Sequence, residues 1–300
     1  MGTATRWRAP IRRASAARLL AAAALAATCP TAMSAEPAAR FMLTSDKVRL
    51  HVLEAGPHGG NAPVIAFVPG WSMPGSIFRR QVDALSARHP VAVLDPRGQG
   101  LSEVPARGFT IARRAKDIGE FAARYRRIVL VGWSLGALES LEYVHTGNAA
   151  SVAGLVLVDS SVGEHPPPKP PAKVGGFTAD LRRDRAAALD RFVRDIFRNP
   201  PPDAELATLR DQALRMPLEA SLSLFPSKIH RSHWRDIARA FPKPLLYAVT
   251  PQFAEQAENL RLARPATRVE VFTDAGHALF ADDSERFNAM LDDFVAALPR

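Results

Sequence analysis

Short apolar runs alternating with segments of helical period predict an α/β fold, a mostly parallel sheet of eight strands with helices on both faces. Six runs, at residues 64–68, 90–94, 128–131, 152–158, 244–249 and 268–272, are rich in Val, Ile and Leu, as strands buried on both faces should be. The strand ends carry a second signal. Pro69-Gly70, Asp95-Pro-Arg-Gly-Gln-Gly100, Asp159-Ser-Ser161 and Asp274-Ala-Gly-His277 are turn sequences there, before helical segments or loops. Third, 300 residues with 47% hydrophobic and 23% charged side chains suit one large α/β domain or two small ones with a sizeable core.

Taken in order, residues 41–54 alternate well enough for two strands with a turn at Ser45-Asp46-Lys47. The strand at 64–68 precedes a helix over 76–88, and the strand at 90–94 precedes a helix over 110–125. The pattern breaks between about 163 and 241. Pro166-Pro-Pro-Lys-Pro-Pro171 can be neither helix nor central strand, and helical segments at 180–197, 203–215 and 217–224 are separated by prolines. This reads as a helical cap or lid over 163–241, inserted into a core of 36–162 and 242–300. Core order resumes with the strand at 244–249, a helix over 253–263, the strand at 268–272 and a last helix over 284–298. There is no internal repeat.

The first 35 residues differ from the rest. Arg6, Arg8, Arg12, Arg13 and Arg18 precede a short apolar run at 19–27, and small residues continue up to Ala35. The run is too short to span a bilayer, so 1–35 is expected to be a cleaved signal peptide of a periplasmic or secreted protein, by either the general or the twin-arginine route. Its loss removes five of the 39 Lys and Arg and none of the 30 Asp and Glu, leaving 34 against 30, a net +4. That modest excess gives no ground for a nucleic-acid partner, and no stable membrane insertion is expected after cleavage. Cys29 is the only cysteine, so the mature chain has no disulfide, thiol nucleophile or cysteine metal site.

The run at 128–131 leads into Gly132-Trp-Ser-Leu-Gly136, after which Ala137, Leu138, Leu141 and Tyr143 fall near helical spacing. A serine between two glycines on a strand-to-helix turn is a nucleophile elbow. The turn strains the serine backbone, and bulk two residues to either side would clash. The Ser134 hydroxyl is thereby pushed out at the carboxyl end of the strand, and the Leu135 N–H at the helix start can point at a developing oxyanion.

Val68-Pro-Gly-Trp-Ser72, Asp95-Pro-Arg-Gly-Gln-Gly100, Gly132-Trp-Ser-Leu-Gly136 and Asp274-Ala-Gly-His277 together resemble an α/β-hydrolase of the esterase and non-haem-haloperoxidase-like branch, in the family's order and over residues 41–300. The elbow also resembles that of carboxylesterases acting on acyl-carrier methyl esters, a short match that does not fix the substrate. The resemblance implies His277 as the base that takes and returns the serine proton. It implies an oxyanion hole from the N–H groups of Leu135 and Trp71. Trp71 and Trp133 flank the pocket in sequence and are candidates for its substrate-binding walls, with core packing as the rival role. The acid in most relatives comes after the strand at 244–249, where Thr250-Pro-Gln-Phe253 has no carboxylate. Some relatives place it after the preceding strand, which here is Asp159. Glu255, Asp274, or a dyad without an acid are the alternatives, and a strand-end cap is the rival role for Asp159. His230 and His233, in the insertion, are either substrate contacts or solvated surface.

No His, Asp and Glu cluster has metal spacing, and Asp95-Pro-Arg-Gly-Gln-Gly100 lacks the Lys-Ser/Thr of a phosphate loop. No cofactor or metal is expected. A serine nucleophile disfavours dehalogenase and epoxide-hydrolase chemistry. The expectation is an exported serine hydrolase that cleaves a small-molecule carboxylic ester through an acyl-serine intermediate. The alternatives are an acyltransferase or cofactor-free perhydrolase in the same site, or a non-catalytic binding protein whose sole support is the missing acid after Val249. Substrate identity and oligomeric state are not legible.

Overall fold

The computed structural model describes residues 1–2, 37–57, 60–147, 149–166, 176–225 and 229–299. Apart from its first two residues, the expected signal segment lies outside these, as does the proline run from residue 167 onward.

Eight strands form one sheet in the order β1-β2-β4-β3-β5-β6-β7-β8. They are β1 (Ala38–Leu43), β2 (Arg49–Ala55), β3 (Val64–Val68), β4 (Val91–Leu94), β5 (Ile128–Trp133), β6 (Val152–Val158), β7 (Leu245–Val249) and β8 (Thr267–Val271). β1 and β2 form the expected hairpin, its turn closed by Thr44 and Val48 with Lys47 at φ 64°. β2 pairs antiparallel with β4, and every later pair is parallel. β3, β4, β5 and β7 are buried along their whole length, which is why their sequences are continuous apolar runs.

Successive strands step one way from β3 to β4 and the other way from β3 to β5. The order of the sheet therefore reverses between β3 and β5, and a cleft opens at their carboxyl ends. Two helical layers cover the sheet. Helices α1 (Arg79–Leu85) and α11 (Ser284–Ala296) pack together in one. In the other, α2 (Ile111–Ala122), α3 (Leu135–Thr146), α8 (Arg231–Ala240) and α9 (Ala254–Ala263) pack in succession. Between β6 and β7 the chain also forms α4 (Gly176–Arg183), α5 (Arg185–Asp195), α6 (Asp203–Leu214) and α7 (Leu218–Ser223), and a short α10 (Leu279–Asp282) comes after β8.

Three elements depart from the expectation. The helical segment foreseen over 180–197 is two helices, α4 and α5, with Asp184 between them capping α5. The helix foreseen over 76–88 begins as a 3-10 turn, Gly75–Phe78, after Pro74. Residues 231–240, for which no helix is expected, form α8. Its apolar face is only Trp234, Ile237 and Ala238, packed on the core layer, and the remaining positions are largely charged or polar. A three-residue stripe is too narrow to stand out in sequence, and tertiary packing supplies the stability instead.

The turn after β4 is a hub. Asp95 accepts from Gly75 N at 2.5 Å and Leu101 N at 2.8 Å, and its other partner is His51 Nδ1 at 2.8 Å. The Arg97 side chain is completely buried. It donates to both Asp117 oxygens, at 2.6 and 2.7 Å, and to Asp46 at 3.0 and 3.1 Å. Hydrogen bonding to that guanidinium holds the Asp46 carboxyl well below the usual carboxylate range. Asp117→Asn would leave the buried cation short of its counter-charge, at an expected cost of about 3 kcal/mol. The loss reads as a lower urea midpoint at unchanged slope, and a loss below about 1 kcal/mol, the range of exposed pairs, would contradict it.

Candidate active site

Ser134 follows β5 and takes the N-cap position of α3 at the reversal of strand order, next to the loop after β3. Its φ of 55° and ψ of −119° are strained for a residue with a Cβ. The flanking glycines are required by contact. A Cβ at Gly132 would sit 2.5 Å from Gly136 O, and one at Gly136 would sit 2.5 Å from Val68 O and 2.6 Å from Pro69 O. The elbow and the β3 loop therefore touch backbone to backbone. Gly70 allows the same approach from the other side, since a Cβ there would lie 3.0 Å from Ser134 Cβ.

His277 Nε2 lies 2.9 Å from Ser134 Oγ, and His277 Nδ1 lies 2.7 Å from Asp159 Oδ2. An ionised carboxylate only accepts, so Nδ1 carries the proton and the Nε2 lone pair faces the serine hydroxyl. Asp159 is 1% exposed, at the end of β6, with φ 41°. Its other oxygen, Oδ1, accepts from Thr250 N at 2.7 Å and Thr250 Oγ1 at 2.8 Å. Thr250 thus occupies the turn where an acid was expected and instead secures the acid of the neighbouring strand. Beside it, burial and the Asp159 charge push the Tyr247 phenol well up, so it stays neutral and donates to Ser160 O.

Asp274 and Glu255 are exposed; Asp274 accepts only from Thr273 Oγ1, at 3.2 Å, among the described hydrogen bonds. The turn after β7 has no carboxylate, and the one that meets His277 is Asp159, at the end of β6. The two insertion histidines are engaged elsewhere, His230 capping α8 and His233 at 2.7 Å from Glu142.

The histidine loop is held from both sides. Trp133 Nε1 donates to His277 O at 2.8 Å, and Ala278 N donates to Ile196 O at 2.7 Å. The Asp282 carboxylate accepts from Gly276 N, Arg198 N and Asn199 N at 2.8–2.9 Å, joining the loop to the segment after α5. Trp133 is only 1% exposed and packs edge-on against Phe78 and Phe280. The core role describes it, and it offers no open face to a substrate, a correction to the wall expected of it. Its volume fills the space behind His277, at 5.2 Å between ring centroids.

Trp71 is 6% exposed, covered by side chains of the segment between β6 and β7. Phe225 stacks on its indole at 5.0 Å, and Phe177 of α4 and Phe192 of α5 meet it edge-on at 5.7 and 5.4 Å. Its Nε1 donates to Ser221 O of α7 at 2.7 Å. Three scattered phenylalanines have no periodicity that would mark them in sequence. Among the described residues, neither the Trp71 N–H nor the Leu135 N–H finds a backbone acceptor, which leaves both free for a developing oxyanion. The arrangement can thus deprotonate a serine, hold the resulting imidazolium, and receive negative charge on a substrate oxygen. Among the described residues, no group of three His, Cys, Asp or Glu is placed to hold a metal, and no helix is long and apolar enough to cross a membrane.

Residues 65–290 match the model of the alpha/beta hydrolase family. The chain is 27% identical over 272 residues to a pimeloyl-[acyl-carrier protein] methyl ester esterase of Vibrio atlanticus, covering 84% of this chain and 99% of that one. A Stenotrophomonas maltophilia protein of the same name is 27% identical over 254 residues, covering 80% and 95%. Among solved structures, an esterase from Exiguobacterium antarcticum superposes with a TM-score of 0.76 at 21% identity, over 87% of this chain and all of that one. A bromoperoxidase from Bacillus anthracis gives 0.74 at 21% identity, over 86% and 100%. With its central 226 residues, elbow and sheet order all in agreement, the chain belongs to the alpha/beta hydrolase family.

Proposed function

We propose that the chain is a serine hydrolase of carboxylic esters. Ser134 Oγ attacks the ester carbonyl as His277 Nε2 takes its proton. Asp159 steadies the imidazolium, and the Trp71 and Leu135 N–H groups receive the oxyanion. His277 then protonates the departing alkoxide, and a water deprotonated by the same nitrogen releases the acyl group from Ser134. The observation that carries the reading is the unbroken chain from Asp159 through His277 to Ser134, at 2.7 and 2.9 Å. Two relatives named as methyl ester esterases support it; what carries over from them is the ester bond. Helices α4–α7 act as a lid, and the ring cluster around Trp71 favours a small substrate with an apolar acyl or aryl group.

Ser134→Ala is expected to lower kcat/KM on p-nitrophenyl esters by about 10⁴-fold or more while the protein stays folded. A panel of acyl chain lengths locates the optimum. Full activity in the variant would overturn the assignment of the nucleophile.

Export is proposed from the sequence of residues 1–35, and the mature chain is expected to begin near Glu36. N-terminal sequencing of the soluble protein from a bacterial host tests this, and an intact Met1 would contradict it.

A further inference from the structure

The turn after β4 takes no part in the chemistry above, yet Gln99 within it is wholly buried. Its Nε2 amide donates to two carbonyls of the β3 loop, Gly70 O at 3.0 Å and Met73 O at 2.6 Å. Its Oε1 accepts from Arg114 Nη2 of α2 at 2.9 Å. Arg114, 1% exposed, forms a 3.1 Å ion pair with Glu139, which is wholly buried in α3 five residues beyond Ser134.

We propose that Gln99 is a positioning residue of the oxyanion hole: it aims the Trp71 N–H by gripping the carbonyl of the same peptide unit, and Arg114 and Glu139 hold it in place. The inference rests on the ester-hydrolase reading. A trans peptide is planar, with its C=O and N–H pointing in opposite directions. Gly70 C=O and Trp71 N–H belong to one such unit, so pinning the oxygen on Gln99 fixes the direction of the hydrogen on the far side. The second bond, to Met73 O, fastens the other end of the same loop.

Within the loop Gly70 O also accepts from Met73 N–H, at 3.2 Å, so the Gln99 amide is a second and shorter hold on that oxygen, at 3.0 Å. Gly70 has no side chain to anchor the loop, and Ser72 is held at φ 59°, a conformation that relaxes unless its surroundings enforce it. Glu139 lies on the helix whose first N–H is that of Leu135. The same run of contacts therefore joins the carriers of both oxyanion donors. It also polarises the Trp71 donor. A cation on Gln99 Oε1 strengthens the Nε2–H donors, and a bond to Gly70 O strengthens Trp71 N–H, each by roughly 10–30%.

The cost of the arrangement argues for a purpose. Burial pushes the Glu139 carboxyl up to about 7 even though Arg114 pulls it down. A buried ion pair rarely stabilises a fold more than apolar filling of the same volume does. What this one supplies is the fixed placement of Gln99.

Gln99→Met keeps the length and volume of the side chain and removes its donors and acceptor. Wild type and variant are compared on p-nitrophenyl acetate and on the matching thionoester, whose sulfur accepts hydrogen bonds poorly and gains little from an oxyanion hole. For the oxygen ester, kcat is expected to fall about 10–10²-fold, with KM changed less than about threefold. The oxygen-to-sulfur rate ratio should fall with it, whereas mere loss of folded protein lowers both rates equally. If Gln99→Met does not fold, Gln99→Asn, an amide one methylene shorter, is measured in the same way. Unchanged kcat and ratio, or equal losses on both esters, would overturn the positioning role. In that case wild-type turnover and labelling of Ser134 by a fluorophosphonate leave the ester-hydrolase reading intact. A wild type that neither turns over nor is labelled overturns that reading, and this inference with it.

Discussion

Asp159 and His277 stand 118 residues apart and meet at 2.7 Å, and much of the architecture around the cleft serves that contact. Parallel pairing of β6 with β7 sets Val158 opposite Ala248, and Asp159 N continues the ladder to Ala248 O at 2.8 Å. β7 in turn brings Thr250 onto the spare carboxylate oxygen. β8 delivers the loop with His277, which Trp133 and Asp282 fasten at either end. A carboxylate on Nδ1 decides which ring nitrogen carries the proton, and only then does the Nε2 lone pair meet Ser134. Removing any one of these supports would let the imidazole rotate or change tautomer, since the ring itself has no preference strong enough to hold the geometry.

Strain gathers at the same place. Of the four described non-glycine residues with positive φ, Ser72, Ser134 and Asp159 lie in the loop after β3, at the elbow and at the end of β6; Lys47 is in a hairpin turn. Each such conformation costs on the order of 1–3 kcal/mol and persists only where neighbours over-determine it. The fully buried strands β3, β5 and β7 provide that constraint, and the buried polar side chains add to it. Asp159, Arg97, Arg114 and Glu139 are all 1% exposed or less, and each faces a group of complementary charge or a hydrogen-bond donor. Such pairs seldom add to net stability; here they fix where loops lie.

The fold was legible because parallel strands buried on both faces leave continuous apolar runs. Five of the six runs became such strands, while 268–272, interrupted by Arg268 and Glu270, became the half-buried edge strand β8. Ser134 and His277 were visible for a related reason: their loops need glycine at fixed offsets, and glycine is conspicuous. Asp159 is a harder case. Residues 250–253 have no carboxylate, and only the resemblance to relatives with a displaced acid pointed back to the end of β6. Thr250, whose N–H and hydroxyl both serve Asp159, could have been a clue, because a hydroxyl replaces the acid in that turn. Trp133 stood beside the nucleophile in sequence, where pocket wall and core packing were rival roles, and β5 turns its ring into the core. Gln99, Arg114 and Glu139 lie 15 and 25 residues apart along the chain and have no common spacing; their association exists only once α2, α3 and the β4 turn pack. The aromatic cluster on Trp71 is hidden for the same reason.

The central claim is that Asp159, not a carboxylate nearer His277 in sequence, completes the site, and turnover by Asp159→Asn tests it most directly. Asparagine preserves size but presents a donor, or a neutral acceptor, where an anion is needed. On a p-nitrophenyl ester, kcat should fall about 10²–10⁴-fold with the fold intact, while Asp274→Asn and Glu255→Gln stay within about threefold of wild type. Near-wild-type turnover by Asp159→Asn, or a comparable loss in Asp274→Asn or Glu255→Gln, would contradict the account.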